Sequence, residues 1–356
     1  MIYDRGYRWW KVVAPDGTRS VRYATWKQLM RVDDDVLKCV CFVGYRGRDK
    51  NGLEKPVVKG TGFFVFLTDR YYTIVTAMHV IAAVRDEAPD QKVAVWVNYP
   101  EGNYRQEYPI ESWLGHPSGD ISIDVAVLCE PIDPGPLDHL AFTREGFATE
   151  ALLQDPIDRV GVGDDLYFPG LFAPHWGRDR NLPIVRQGTI AAMPIEKVRS
   201  RIGGQDVLID AYLAEVRSVG GLSGSPVFIH FGMWRVVPGT PEDAPIPPMR
   251  SDALLGIIHG HYDLPKILAN STEHEMINMG ICMVVPIKYV VETLDQPRMQ
   301  KKRDELNAHR ESDDGVPVAD AVPENSEPTA FTKGDFGEAL RRSTRIIMPD
   351  ESVPEG

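Results

Sequence analysis

The sequence predicts an all-β protein, and three observations carry that reading. More than ten short runs rich in Val, Ile, Phe and Tyr recur between residues 36 and 295. Clusters of Gly, Pro and Asp separate them, and almost no long stretch of helical periodicity lies between them. Units in which a helix follows each strand are therefore disfavoured against a β-barrel or sandwich. At 356 residues, 43% apolar and 25% charged, the chain has the composition of a globular protein, and its length allows two or three domains.

Taken in order, residues 1–35 form an N-terminal extension, with a hairpin expected around Pro15-Asp-Gly17 and an amphipathic stretch at Thr25–Arg31. Strands follow at Val36–Val43, Val57–Leu67, Tyr71–Thr76, Lys92–Tyr99, Asp124–Leu128, Asp165–Phe168, Ile184–Ala192, Val207–Ala211, Pro226–His230, Ala253–His259 and Gly280–Pro286, each β-branched or aromatic and bounded by turn residues. Two short helices are expected, Ala77–Val84 and, after Pro286, Ile287–Leu294. From 296 to 356 a charged stretch, Gln300–Asp314, gives way to a segment rich in Pro, Glu, Asp and Ser, which reads as a linker and largely disordered acidic tail. Within it residues 332–342 fit one short helix, either transient or a docking segment for a regulatory partner or for the protein's own barrel, with Phe336 and Leu340 one turn apart.

Lys and Arg number 39 against 51 Asp and Glu, a net charge of −12, so nucleic acid and anionic membranes are not expected partners. Residues 296–356 hold 13 acids and 9 bases, so −8 of that charge belongs to the first 295 residues. No apolar run approaches the roughly 18–20 residues that span a bilayer, and the N-terminus has no apolar core or small-residue cleavage site of a signal peptide. A cytoplasmic protein with no membrane segment is expected. The four cysteines, Cys39, Cys41, Cys129 and Cys282, include no C-x-x-C pair and read as buried thiols, Cys39 and Cys41 on one face of a strand. No metal or cofactor is expected.

Three places look chemical. Gly60-Thr-Gly-Phe-Phe-Val and Tyr72-Thr-Ile-Val-Thr-Ala-Met-His79 make two strands and then a helical turn carrying a histidine. Gly119-Asp-Ile-Ser-Ile-Asp124-Val-Ala-Val places an acid at the head of an apolar strand. Gly220-Gly-Leu-Ser223-Gly-Ser-Pro places a serine in a glycine-rich loop that feeds a strand. Nucleophilic catalysis by serine needs a base in hydrogen-bond reach and a third group to fix the base's tautomer. His79, Asp124 and Ser223 supply one of each, and glycines at 221 and 224 permit the backbone turn that aims N–H groups at an oxyanion. Asp120 is the rival acid, but only Asp124 leads directly into the Val-Ala-Val strand.

In these motifs and their order the chain resembles the trypsin-like (chymotrypsin-fold) serine proteases. Val162-Gly-Asp-Asp-Leu-Tyr-Phe-Pro-Gly, Arg186-Gln-Gly-Thr-Ile, Leu255-Gly-Ile-Ile and Met283-Val-Val-Pro-Ile fit the same family. The resemblance covers about residues 36–295 and implies a double β-barrel, with halves near 36–150 and 151–295, and a C-terminal helix. It implies His79 as general base, Asp124 as its orienting acid, Ser223 as nucleophile and the N–H groups of Gly221 and Ser223 as oxyanion hole, acting on a protein or peptide. Leu222 stands where zymogen-type members carry an aspartate, so an active site formed without N-terminal processing is expected, as in bacterial and viral relatives. Arg217 falls where the family has the base of its specificity pocket, and His259 and His261 fall on its wall, a set suited to acidic or amide side chains.

Other classes fit less well. His259-Gly-His261-Tyr-Asp263 resembles the start of a binuclear metallohydrolase motif, but position 264 is Leu where the last histidine belongs. An α/β-hydrolase is disfavoured by the triad order and by the missing closing glycine of the nucleophile elbow. The alternative to a protease is a catalytically silent scaffold of the same fold that recruits partners through its tail.

Overall fold

The computed structural model describes residues 7–13, 19–25, 32, 34–99, 102–132, 137–154, 160–175, 177, 179–216, 221–231, 252–267 and 274–313. The chain divides into two compact units, residues 1–308 and 309–356, and of the second only the helical residues 309–313 are described.

The first unit is mostly β. An antiparallel ribbon, β1 (Tyr7–Val13) and β2 (Arg19–Thr25), brackets the expected Pro15-Asp-Gly17 turn, while the stretch 26–31 lies outside the described residues. Seven strands then make one sheet: β3 (Val40–Arg48), β4 (Glu54–Phe66), β5 (Tyr72–Thr76), β6 (Lys92–Tyr99), β7 (Gly102–Pro109), β8 (Trp113–Gly115) and β9 (Ala126–Leu128), in spatial order β7-β6-β3-β4-β5-β9-β8. Eight more follow: β10 (Asp165–Gly170), β11 (Ile184–Ala192), β12 (Val198–Ile202), β13 (Gln205–Ile209), β14 (Tyr212–Glu215), β15 (Pro226–His230), β16 (Asp252–Ile267) and β17 (His274–Pro286). Six of them close a barrel in the order β10-β11-β14-β17-β16-β15, and β12 and β13 form a separate ribbon. One hydrophobic core runs through both halves. Phe63, Phe142, Phe228 and Tyr167 form a chain of rings across it, with successive centroids 6.1, 5.0 and 5.0 Å apart, in edge-on, tilted and stacked arrangements.

β4 explains why its sequence does not alternate cleanly. Its first residues are exposed, but Thr61 to Val65 are buried without a break, because both faces of the strand are covered. The helix Met78–Glu87 begins one residue later and runs three residues further than expected, burying Val80, Ile81 and Val84, and Ile287–Leu294 forms over the expected residues. Three expectations need correction. Cys39 closes a 3-10 turn, Asp34–Cys39, in place of a strand, although both it and Cys41 are buried free thiols. Strands β7, β8, β12 and β14 were not expected. The start of the expected linker is a helix, Pro297–Asp313, tied down by fully buried Met299 and by Arg303, which donates to Asp295 and to the Leu294 carbonyl. Residues 332–342 lie outside the described residues, among which no helix is long and apolar enough to cross a membrane.

Candidate active site

The histidine is placed by helix physics. The helix Met78–Glu87 has no side-chain cap of its own, since Ala77 precedes it. The Asp124 carboxylate serves instead: its Oδ1 accepts the His79 backbone N–H at 2.8 Å, satisfying a donor that the first helical turn leaves open. Its Oδ2 accepts from His79 Nδ1 at 2.6 Å. One carboxylate thus fixes both the backbone and the ring of the same residue. Nδ1 then carries the proton, and Nε2 keeps its lone pair for another donor.

Asp124 is 1% exposed. Burial alone would raise its pKa, but the charges and hydrogen bonds of His79 and His259 outweigh that and hold it well below the usual carboxylate range. For His79 burial pulls downward, while the charge and hydrogen bond of Asp124 win and leave it raised. Asp120 remains in an exposed turn, where it accepts the Ser122 N–H at 2.8 Å and does not meet His79.

The serine loop is held by β4. Thr61 N–H donates to the Ser223 carbonyl at 2.9 Å, Thr61 Oγ1 donates to the Gly221 carbonyl at 2.9 Å, and the same oxygen accepts the Leu171 N–H at 2.8 Å. Gly221 and Gly224 both adopt positive φ, at 101° and 82°. A Cβ on Gly224 would lie 2.2 Å from the Thr61 carbonyl oxygen, so the close approach also requires glycine. Gly224 N–H donates to the Ile258 carbonyl. Among the described residues the N–H groups of Gly221 and Ser223 donate to no protein acceptor. Leu222 points inward and is fully buried in the core. The Ser223 hydroxyl donates to the backbone carbonyl of His259 at 3.2 Å and not to His79.

The expected pocket residues divide. Arg217 lies outside the described residues, and His261 is half-buried on β16. His259, 6% exposed, sits at a register shift between β16 and β17, and its ring turns onto the acid. Its Nδ1 lies 2.5 Å from Asp124 Oδ2 and its Nε2 lies 2.7 Å from Ser200 Oγ, so both nitrogens are engaged and neither is left for a substrate. Thr61, Thr76, whose Oγ1 donates to the Thr61 carbonyl at 2.7 Å, and Ser200 were missed from sequence. The threonines had one signal, their places inside the Gly60-Thr-Gly and Thr76-Ala-Met-His79 motifs; Ser200, on an unexpected strand, had none.

Ligand atoms of His79, Asp124 and His259 lie within 4.8 Å of one another, close enough to consider a metal. The two Nδ1–Oδ2 separations, 2.6 and 2.5 Å, are hydrogen-bond lengths. Two ligands each ~2 Å from a tetrahedral ion stand about 3.3 Å apart. The distances suit shared protons. Compared with protein-family models and with curated protein sequences, the chain matches none.

Proposed function

We propose that the chain is a trypsin-like serine endopeptidase, with the seven-stranded sheet as its first barrel and the closed six-stranded barrel as its second. The observation that carries this is the double engagement of Asp124 on His79, which holds a buried anion against Nδ1 and leaves Nε2 available as a base. In the proposed reaction the Ser223 hydroxyl turns from the His259 carbonyl to His79 Nε2, which takes its proton as Oγ attacks the peptide carbonyl. The N–H groups of Gly221 and Ser223 receive the developing oxyanion. Asp124 stabilises the His79 imidazolium, which passes its proton to the leaving amine, and water then releases the acyl group by the reverse transfers.

Leu222 supports a loop that needs no processing, because its side chain is an apolar part of the core where a switch aspartate would need a new N-terminus. Substrates are proteins or peptides met in the cytoplasm. A preference for acidic or amide side chains rests on Arg217 and His261, with His259 withdrawn to Asp124, and comparing Glu, Gln, Arg, Leu and Ala substrates tests it; a preference for Arg would sink it. One observation favours the second reading, a silent scaffold: the serine hydroxyl rests on a carbonyl and not on the base. Labelling with a fluorophosphonate separates the two. Reaction at Ser223, lost in Ser223→Ala and His79→Ala, supports the protease; a wild type that does not label removes it.

A further inference from the structure

Asp124 is gripped by two imidazoles, and only one of them belongs to the proposed triad. Its Oδ2 accepts from His79 Nδ1 at 2.6 Å and from His259 Nδ1 at 2.5 Å, while Oδ1 accepts the His79 backbone N–H at 2.8 Å. The two rings stand edge to face, centroids 5.4 Å apart. An ionised carboxylate has no proton to give, so both nitrogens facing Oδ2 are protonated. For His259 that choice is reinforced from the far side. Ser200 Oγ, 2.7 Å from Nε2, can donate to a lone pair there, and the ring is then satisfied as a donor at one end and an acceptor at the other. Ser200 lies on β12, opposite Val207 of β13, so a ribbon outside the barrel reaches the catalytic acid through one imidazole.

We propose that His259 is a positioning residue for Asp124, and that Ser200 holds it in the tautomer that donates to the carboxylate. The inference rests on the protease reading for its kinetic consequence, though not for the hydrogen bond itself. His79 holds the carboxylate at two points, its backbone N–H at Oδ1 and its ring at Oδ2, and His259 adds a third hold on Oδ2 from a second direction, which narrows rotation about Cβ–Cγ further. His259 also divides the charge. The Oδ2 that would attract a protonated His79 is partly neutralised by a second donor, so His259 lowers the basicity of His79 while improving its aim. Among the described residues Asp124 is the charged group that acts on His79, and the two imidazoles are those that act on Asp124. His261, two residues along β16, is the nearest further titratable side chain in sequence.

The test compares four variants by their fluorophosphonate labelling rate at Ser223 as a function of pH, with thermal melting alongside. Asn places its amide nitrogen where His Nδ1 sits, and Gln places it near Nε2. His259→Asn is expected to label within about threefold of wild type. His259→Gln and His259→Ala are expected to lose roughly 10- to 100-fold, the worth of one charge-assisted hydrogen bond, with the acid limb of the pH profile moved upward. Ser200→Ala is expected to lose about 3- to 10-fold. Equal losses in Asn and Gln with an unmoved limb would reduce His259 to a packing residue and overturn the proposal. A second measurement needs no activity: in histidine-labelled protein, ring N–H resonances assigned to His79 and to His259 should both be strongly deshielded by NMR, the signals of His230 and His116, which also face carboxylates, being identified by their His→Ala variants. A deshielded His79 resonance without one from His259 overturns the proposal. If both resonances appear and the protein does not label, the protease reading fails and the second grip on Asp124 stands.

Discussion

Asp124→Asn isolates what the carboxylate does, because the substitution keeps shape and removes one acceptor. The amide cannot choose its orientation freely. Its oxygen must face the His79 backbone N–H, which has no alternative tautomer, so the NH2 group takes the place of Oδ2 and points at two ring nitrogens that were donors. Both imidazoles must then present lone pairs at Nδ1 and move their protons to Nε2. His79 becomes unable to accept from Ser223. Two charge-assisted bonds to Oδ2 are at stake, worth about 1.5–3 kcal/mol each, so the activated arrangement loses about 3–6 kcal/mol. At about 1.4 kcal/mol per decade that is roughly a 10²- to 10⁴-fold fall in the fluorophosphonate labelling rate at pH 8. The melting temperature is the control, since a neutral amide in a buried site need not unfold the protein. A folded Asn variant that labels within about fivefold of wild type would refute the assignment of Asp124 as the orienting acid.

The remaining expectations concern pH, the serine loop and the C-terminal helix. Because the His79 pKa is raised in the fold, the labelling rate should rise with pH about a midpoint above the ordinary value near 6.5, and a midpoint below it would contradict the Asp124 contact. The sign for stability follows: the His79–Asp124 contribution is fully present below about 6.5 and fades as pH climbs through the raised value, so wild type and His79→Ala should converge in denaturation midpoint at alkaline pH. Gly224→Ala meets both a left-handed backbone and a carbonyl oxygen 2.2 Å from its new Cβ, and should lose about 2–5 kcal/mol by denaturant unfolding. A loss under about 1 kcal/mol would mean that the loop is not held against Thr61 as described. Truncation after Gln296 removes fully buried Met299 and should cost about 1.5–3 kcal/mol, whereas truncation after Asp313 should leave the first unit's stability unchanged. Only the second cut is a fair test of regulation by the tail.

Strands bounded by turn residues were legible to the residue: Lys92–Tyr99, Ile184–Ala192 and Pro226–His230 form over the segments that their β-branched and aromatic content marks. Two of those that escaped share a physical cause. β7, Gly-Asn-Tyr-Arg-Gln-Glu-Tyr-Pro, is a sheet-edge strand with little buried surface, and β12, Val-Arg-Ser-Arg-Ile, pairs only in a ribbon outside the barrel, so neither needs an apolar signature. The helix Pro297–Asp313 escaped for a related reason. It has almost no apolar stripe and is held by a few side chains, Met299, Leu306 and Arg303 among them, which composition cannot distinguish from a solvated linker.

The site divides in the same way between what local sequence encodes and what only register decides. The places of His79, Asp124 and Ser223 were readable because each lies in a segment whose residue types mark it, respectively a helix start, the approach to an apolar strand and a turn that only glycine permits. The role of His259 was not readable, because alternation along β16 carries no mark of the shift between Ile258 and Gly260 that turns its ring onto Asp124. A bulge is a property of two strands together, and β17 lies beyond the 252–267 segment that carries the histidine. The consequence reaches specificity: a residue expected to face substrate is spent on the acid. Any preference for acidic or amide side chains must then come from groups that do not touch Asp124, and a His259→Asn variant should alter the labelling rate far less than Asp124→Asn while leaving the ranking of Glu, Gln, Arg, Leu and Ala substrates in place.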